Sequence, residues 1–118
     1  METAEDYVEA IVKLADDAGA CRVSNLAEHF GVSHVTVIRI VRRLEGEGLV
    51  ETEPYQPVRL TAAGLRLARA AAERHQIVFQ VLRKLGIDAA TAAVDAEGIE
   101  HHLSPSTLRQ MRKFISEA

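Results

Sequence analysis

The stretch FGVSHVTVIRIVRRL, residues 30–44, decides how the rest of the chain is read. Ser33 sits where a helix N-cap belongs, and the β-branched, basic run HVTVIRIVRRLEGEG after it reads as a helix that stops at the glycines. Just upstream, Ser24 reads as the cap of a shorter helix over 25–30, which the Gly31-Val32 turn joins to the next one. Two short helices joined by a tight glycine-containing turn form a helix-turn-helix. Beyond it, LVETEPYQPVRLT (49–61) predicts short strands at 50–53 and 58–60 around a turn at 54–57. A helix-turn-helix followed by such a hairpin is a winged helix.

Working outward, Thr3 opens a first helix whose apolar positions Tyr7, Val8, Ile11, Val12, Leu14 and Ala15 keep helical spacing until about Asp17 to Gly19. On the other side, Thr61 caps a long helix from 62 to about 85, ended by Gly86. Asp88 starts a short helix to about 94, Asp95 starts another, and Ser104 with Pro105 starts a last one to 116. The expected fold is mostly α: a winged helix-turn-helix with a small β-hairpin wing over 1–61, then a linker helix and helical dimerisation domain over 62–118. Ile77, Val78, Val81, Leu82, Leu108, Met111 and Ile115 are the apolar positions expected to face a second copy.

A chain of 118 residues has little core of its own, so self-association is expected. With 47% hydrophobic residues, three Pro and no low-complexity tract, it has the profile of a helical globular protein. No apolar run approaches the roughly 20 residues of a membrane span. The start METAEDYVEA is acidic where a signal peptide would be basic, so a cytoplasmic protein with no membrane partner is expected. The single Cys21 allows no internal disulfide and reads as an ordinary half-buried residue. The net charge of −3 is uneven: −5 over 1–30, +4 over 31–85 and −2 over 86–118. A basic middle between acidic ends suggests one task for an anionic partner and another for a cationic one.

The anionic partner expected is double-stranded DNA. Ser33, His34, Val35 and Thr36, with Arg39 one turn further, would meet a major groove, and Arg42 and Arg43 lie where phosphates would pass. The plain alternative is a solvated basic face on an amphipathic helix, and the wing behind it and the local positive charge weigh against that. The cationic partner is suggested by DAEGIEHHLS (95–104), where Glu97, Glu100 and His101 stand at i, i+3 and i+4 and share one helical face. Carboxylates that close are unfavourable unless a cation or proton lies between them. Gly98, costly inside a helix, hints that something needs the room. Against this, the cluster also reads as a solvated acidic face. Asp6 and Glu9 likewise stand at i, i+3, where Asp6 can close a capping box and Glu9 can pair with Lys13, and His75 alone reads as structural.

Together EDYVEAIVKL, FGVSHVTVIRIVRRL, ERHQIV and DAEGIEHHLS resemble the manganese-responsive MntR branch of the diphtheria-toxin-repressor-like (DtxR) transcription factors, over about 3–116. The resemblance implies a homodimeric repressor that binds a palindromic operator when divalent metal is present. It also implies a binuclear site of Asp6, Glu9, His75, Glu97, Glu100 and His101, with His102 outside it. Two Mn(II) per protomer are implied, with Zn(II), Co(II) or Fe(II) able to substitute. Iron-responsive relatives carry Met and Cys where this chain has Asp6 and Glu97, and the oxygen-rich set suits manganese.

The chain departs from the family at the wing, where Gln56 and Pro57 stand in place of an Arg-Gly pair, so wing contact with DNA is in doubt. Phe79 stands where some relatives carry an ancillary carboxylate, and the sequence stops before any SH3-like third domain. Metal pairs bridged by carboxylates also build hydrolases and oxidases. No additional acid or base, phosphate loop or substrate pocket is legible, so neither an enzyme nor a small-molecule substrate is expected.

Overall fold

The computed structural model describes residues 4–117, so Thr3, read above as a cap, lies outside the described residues. The chain forms two compact units, 1–69 and 70–118, described separately below. Among the described residues no helix is long and apolar enough to cross a membrane.

The first unit contains α1 (Ala4–Leu14), β1 (Ala20–Cys21), α2 (Val23–Phe30), α3 (His34–Gly46), β2 (Val50–Glu51), β3 (Val58–Leu60) and the start of α4 (Ala62–Lys84). Its core is formed by Tyr7 and Ile11 of α1, Leu26 of α2, Val37, Val41 and Leu44 of α3, and the sheet residues Cys21, Val50 and Val58. Tyr7 stacks on Phe30 with ring centroids 4.4 Å apart, which fixes α1 against the end of α2. Burial pushes the Cys21 thiol up, as suits a core residue rather than a reactive one.

Local chemistry sets the turn between α2 and α3. Gly31 adopts φ 65°, a left-handed conformation that favours glycine, and its N–H closes onto the Ala27 and Glu28 carbonyls. Ser33 Oγ then accepts the Thr36 amide at 3.1 Å, capping α3 as its sequence predicts. The three strands form an antiparallel sheet in the order β1-β3-β2, with Ala20 opposite Arg59 and Val50 opposite Leu60. A Cβ at Gly64 would lie 2.0 Å from the Leu49 carbonyl oxygen, so only glycine lets α4 start this close to the loop after α3.

Several expectations need correction. Helix α2 begins at Val23 with Arg22 as its N-cap, not at Ser24, whose side chain makes no cap. Helix α1 ends at Leu14, before Asp17, because Asp16 Oδ1 accepts the Ala18 and Ala20 amides, both at 2.9 Å, and turns the chain into β1. The first wing strand stops at Glu51 rather than 53, short of Pro54, which has no N–H for a ladder.

In the second unit α4 gives way at Gly86, Asp88 caps α5 (Ala89–Ile99) by accepting the Thr91 amide at 3.1 Å, a 3₁₀ turn spans Glu100–His102, and α6 runs Pro105–Ser116. Asp95 starts no new helix: alanine-rich α5 runs through it unbroken. Nothing lies within 4 Å of a Cβ built on Gly98, so no neighbour in the chain needs the room that glycine leaves. Ile77, Val78 and Leu108 are buried within the chain and cannot face a second copy, while Val81, Leu82, Met111 and Ile115 are half-buried. Arg112 holds Glu73 at 2.6 Å, and Lys84 lies over the Phe114 ring and donates to the Phe114 and Glu117 carbonyls, closing the end of α6 onto α4.

Candidate nucleic-acid interface and metal centre

Helix α3 has two faces. Val37, Val41 and Leu44 repeat at helical spacing and are buried, which turns His34, Val35, Ile38, Arg39, Arg42 and Arg43 outward. Thr36 is half-buried, its hydroxyl 3.0 Å from Ser33 Oγ, so both hydroxyls are committed first to the cap. Val35 is 73% and Ile38 41% exposed, an apolar pair in water beside cations. No ion pair involving Arg39, Arg42 or Arg43 occurs among the described residues. Such a face, mixing guanidiniums with small apolar groups, suits phosphates and base edges together. Sequence reasoning missed Ile38, although it stands three residues from Val35 and four from His34 on the same exposed stripe.

In the second unit, Glu100 is the one charged side chain buried among the described residues, at 2% exposure. His75 Nδ1 of α4 lies 3.5 Å from Glu100 Oε2, and His101 Nε2 lies 3.4 Å from Oε1. The carboxylate thus faces a different imidazole with each oxygen. Burying a carboxylate among neutral groups is costly, and two imidazoles offset that only through hydrogen bonds or a shared proton.

Glu97 is exposed on α5, three residues before the buried Glu100, with which the helix gives way to a 3₁₀ turn. Asp6 and Glu9 are half-buried on α1, in the first unit. No cluster of three or more His, Cys, Asp or Glu among the described residues has the geometry of a preformed metal cage. The three that meet are joined through one carboxylate rather than converging on one point. Their chemistry nevertheless fits a divalent ion: a buried anion and two borderline nitrogen donors.

Residues 1–58 match the family described as iron dependent repressor, N-terminal DNA binding domain, and residues 61–118 match iron dependent repressor, metal binding and dimerisation domain. The transcriptional regulator MntR of Escherichia coli O157:H7 is 44% identical over 116 residues, which cover 98% of this chain and 75% of that protein. The HTH-type transcriptional regulator MntR of Bacillus subtilis (strain 168) is 37% identical over 111 residues, 94% of this chain and 78% of that one. A solved manganese-dependent transcriptional repressor in complex with manganese superposes with a TM-score of 0.83 at 29% identity, over 97% of this chain and 53% of that one. Helix-turn-helix, wing and helical second unit define the class, a winged-helix transcription regulator and not an enzyme. Within that class the chain belongs to the DtxR family, in its MntR branch.

Proposed function

We propose that this protein is a Mn(II)-dependent repressor of manganese transport and homeostasis genes, acting as a homodimer on a palindromic operator. The carrying observation is Glu100, buried and set between His75 and His101. With one oxygen toward each imidazole, it would serve as a ligand together with His75 and His101, and the reading carries two Mn(II) per protomer. Glu97 from α5 and Asp6 and Glu9 from α1 would complete the ligand set, giving four carboxylates and two imidazoles. Such hard, oxygen-rich donors favour manganese, while Zn(II), Co(II) and Fe(II) remain able to bind because raw affinity follows the divalent-metal series. The family description names iron, but neither Met nor Cys stands in this ligand set.

In this reading Asp6 and Glu9 of α1 would be ligands beside those of α4 and the 97–101 segment, and metal would thereby govern DNA binding. Asp6 and Glu9 share α1 with Tyr7, whose ring stacks on Phe30 at the end of the first helix of the helix-turn-helix. Divalent metal held by these residues would neutralise the carboxylates, and the proposed consequence is an arrangement of the two winged helices that matches paired half-sites. On α3, Arg39 would read a base edge, Val35 would touch a thymine methyl, and Arg42 and Arg43 would neutralise phosphates.

Chelated, metal-free protein titrated anaerobically with Mn(II), Fe(II), Zn(II) and Co(II) tests the reading, with stoichiometry and affinity for the DNA upstream of its own gene followed together. Two Mn(II) per protomer and a large gain in DNA affinity are expected. DNA binding indifferent to every metal would reduce the 95–104 segment to a charged surface and refute metal control.

A further inference from the structure

The wing is made of ETEPYQP, residues 51–57, with two glutamates and neither lysine nor arginine. That tip therefore has no cation to offer a phosphate, and Arg59 on β3 donates to the Ala18 carbonyl. The tip does have an aromatic ring held in an unusual way. The Gln56 amide donates to the Glu53 carbonyl at 3.0 Å, closing a β-turn with Pro54 at its second position and Tyr55 at its third. Tyr55 has φ 62°, the only positive φ outside glycine among the described residues. Turns that need a positive φ at this position ordinarily take glycine or asparagine.

The Tyr55 side chain is also fully exposed, at 104%. A bulky residue is thus held in a disfavoured backbone conformation with its ring in water, and packing within the chain repays neither cost. The ring borders a groove of about 920 Å³ between wing and α3, lined by Gln56 on one side and His34, Ile38 and Arg42 of the proposed DNA-reading helix on the other. Arg22, Glu45 and Glu53 also line it, so its two arginines are balanced by two glutamates and the groove does not favour a phosphate on charge alone.

We propose that the wing does bind DNA, and through the Tyr55 ring rather than through charge: the ring lies against the apolar sugar and base edge of the strand beside the α3 contact. The proposal rests on the DNA-binding reading above. Its distinguishing consequence concerns salt. Phosphate contacts release counterions and steepen the fall of affinity with salt, whereas an aromatic contact does not.

The test uses full-length, Mn(II)-loaded protein and a duplex carrying the region upstream of its own gene, with affinity measured by anisotropy from about 50 to 300 mM salt. Tyr55→Ala is expected to weaken binding by about fivefold to tenfold at every salt concentration and to leave the slope unchanged. Arg42→Ala is the contrast, expected to lower the slope by about 0.9. Tyr55→Phe should bind as the parent does.

Tyr55→Gly separates ring from backbone, since glycine relieves the positive φ but removes the aromatic. It should be as weak as the alanine variant. Parent-like or tighter binding by Tyr55→Gly, a reduced slope in Tyr55→Ala, or a change in its oligomeric state would overturn the proposal. If the parent protein itself prefers this duplex no more than random DNA, the DNA-binding reading fails and this one with it. That case is recognised because the parent, and not only the Tyr55 variants, binds without preference.

Discussion

Nine of the ten largest fully buried side chains belong to the first unit, and in the second only Val78 reaches that state. Conversely, Leu85, Val94 and Ile99 of the second unit stand 62%, 73% and 39% exposed. The first unit also exposes large apolar groups: Val12 on α1, and Val35, Ile38 and Tyr55 on α3 or the wing, at the proposed DNA surface. One unit has a closed core and displays most of its exposed apolar groups at that proposed surface. The other has a thin core and a single buried charge. Stability in the first unit should therefore come from packing, and in the second it should depend on what binds.

The strongest way to break this contrast is Glu100→Ala. If Glu100 is the ligand proposed, its removal should lower Mn(II) affinity by more than about 100-fold, since even outer-shell changes cost about 10- to 100-fold. The metal-induced gain in DNA affinity should vanish, while circular dichroism and the first unit's melting stay as in the parent. Metal titrations that overlay those of the parent would show that Glu100 is buried for packing reasons alone.

Next in size is Leu44→Ala, which tests the other side. Leu44 is fully buried on α3, and truncation should cost about 2–5 kcal/mol. Because the loss lies in packing, the destabilisation read from urea midpoints should be equal with and without Mn(II). A loss that metal fully restores would show that the first unit too depends on what binds.

How much of this was legible in the sequence follows the same division. The helix-turn-helix was readable because its signals are local: Gly31 forms the turn, Ser33 the cap, and Val37, Val41 and Leu44 mark the buried stripe within one helix. Strand β1 was not readable, since two residues become a strand only by pairing with β3 from distant sequence. In the second unit the motif 95–104 announced ligand chemistry, but spacing alone assumed a continuous helix. The helix ends at Ile99 and gives way to a 3₁₀ turn at Glu100–His102, and it is His75 on α4, unremarkable when read alone, that meets Glu100. Likewise Ile77, Val78 and Leu108 look like interface residues in sequence, and only packing shows that the chain buries them itself.

The smallest expected effect compares two aspartates that organise turns, one in each unit. The Ala20 amide, with the Ala18 amide and the Arg59 and Arg22 guanidiniums, holds the Asp16 carboxyl below the ordinary 3.8. Asp88 is lowered from the same 3.8 by the Thr91 hydroxyl and amide, with no charged group among its causes. In both, the folded-state value lies under the unfolded one. Their stabilising contributions are therefore fully present above the ordinary aspartate value and lost as pH falls through the lowered one. Salt should tell the two apart. Raising it to about 1 M shortens the screening length to roughly 3 Å, which weakens the arginine contribution at Asp16 and leaves direct hydrogen bonds at Asp88 intact. Carboxyl carbon shifts followed by NMR should give both midpoints below 3.8 at low salt, with Asp16 alone moving upward at high salt. Equal movement of the two would mean that arginines near Asp16 contribute nothing, and that β1 is set by hydrogen bonds alone, just as α5 is at its cap.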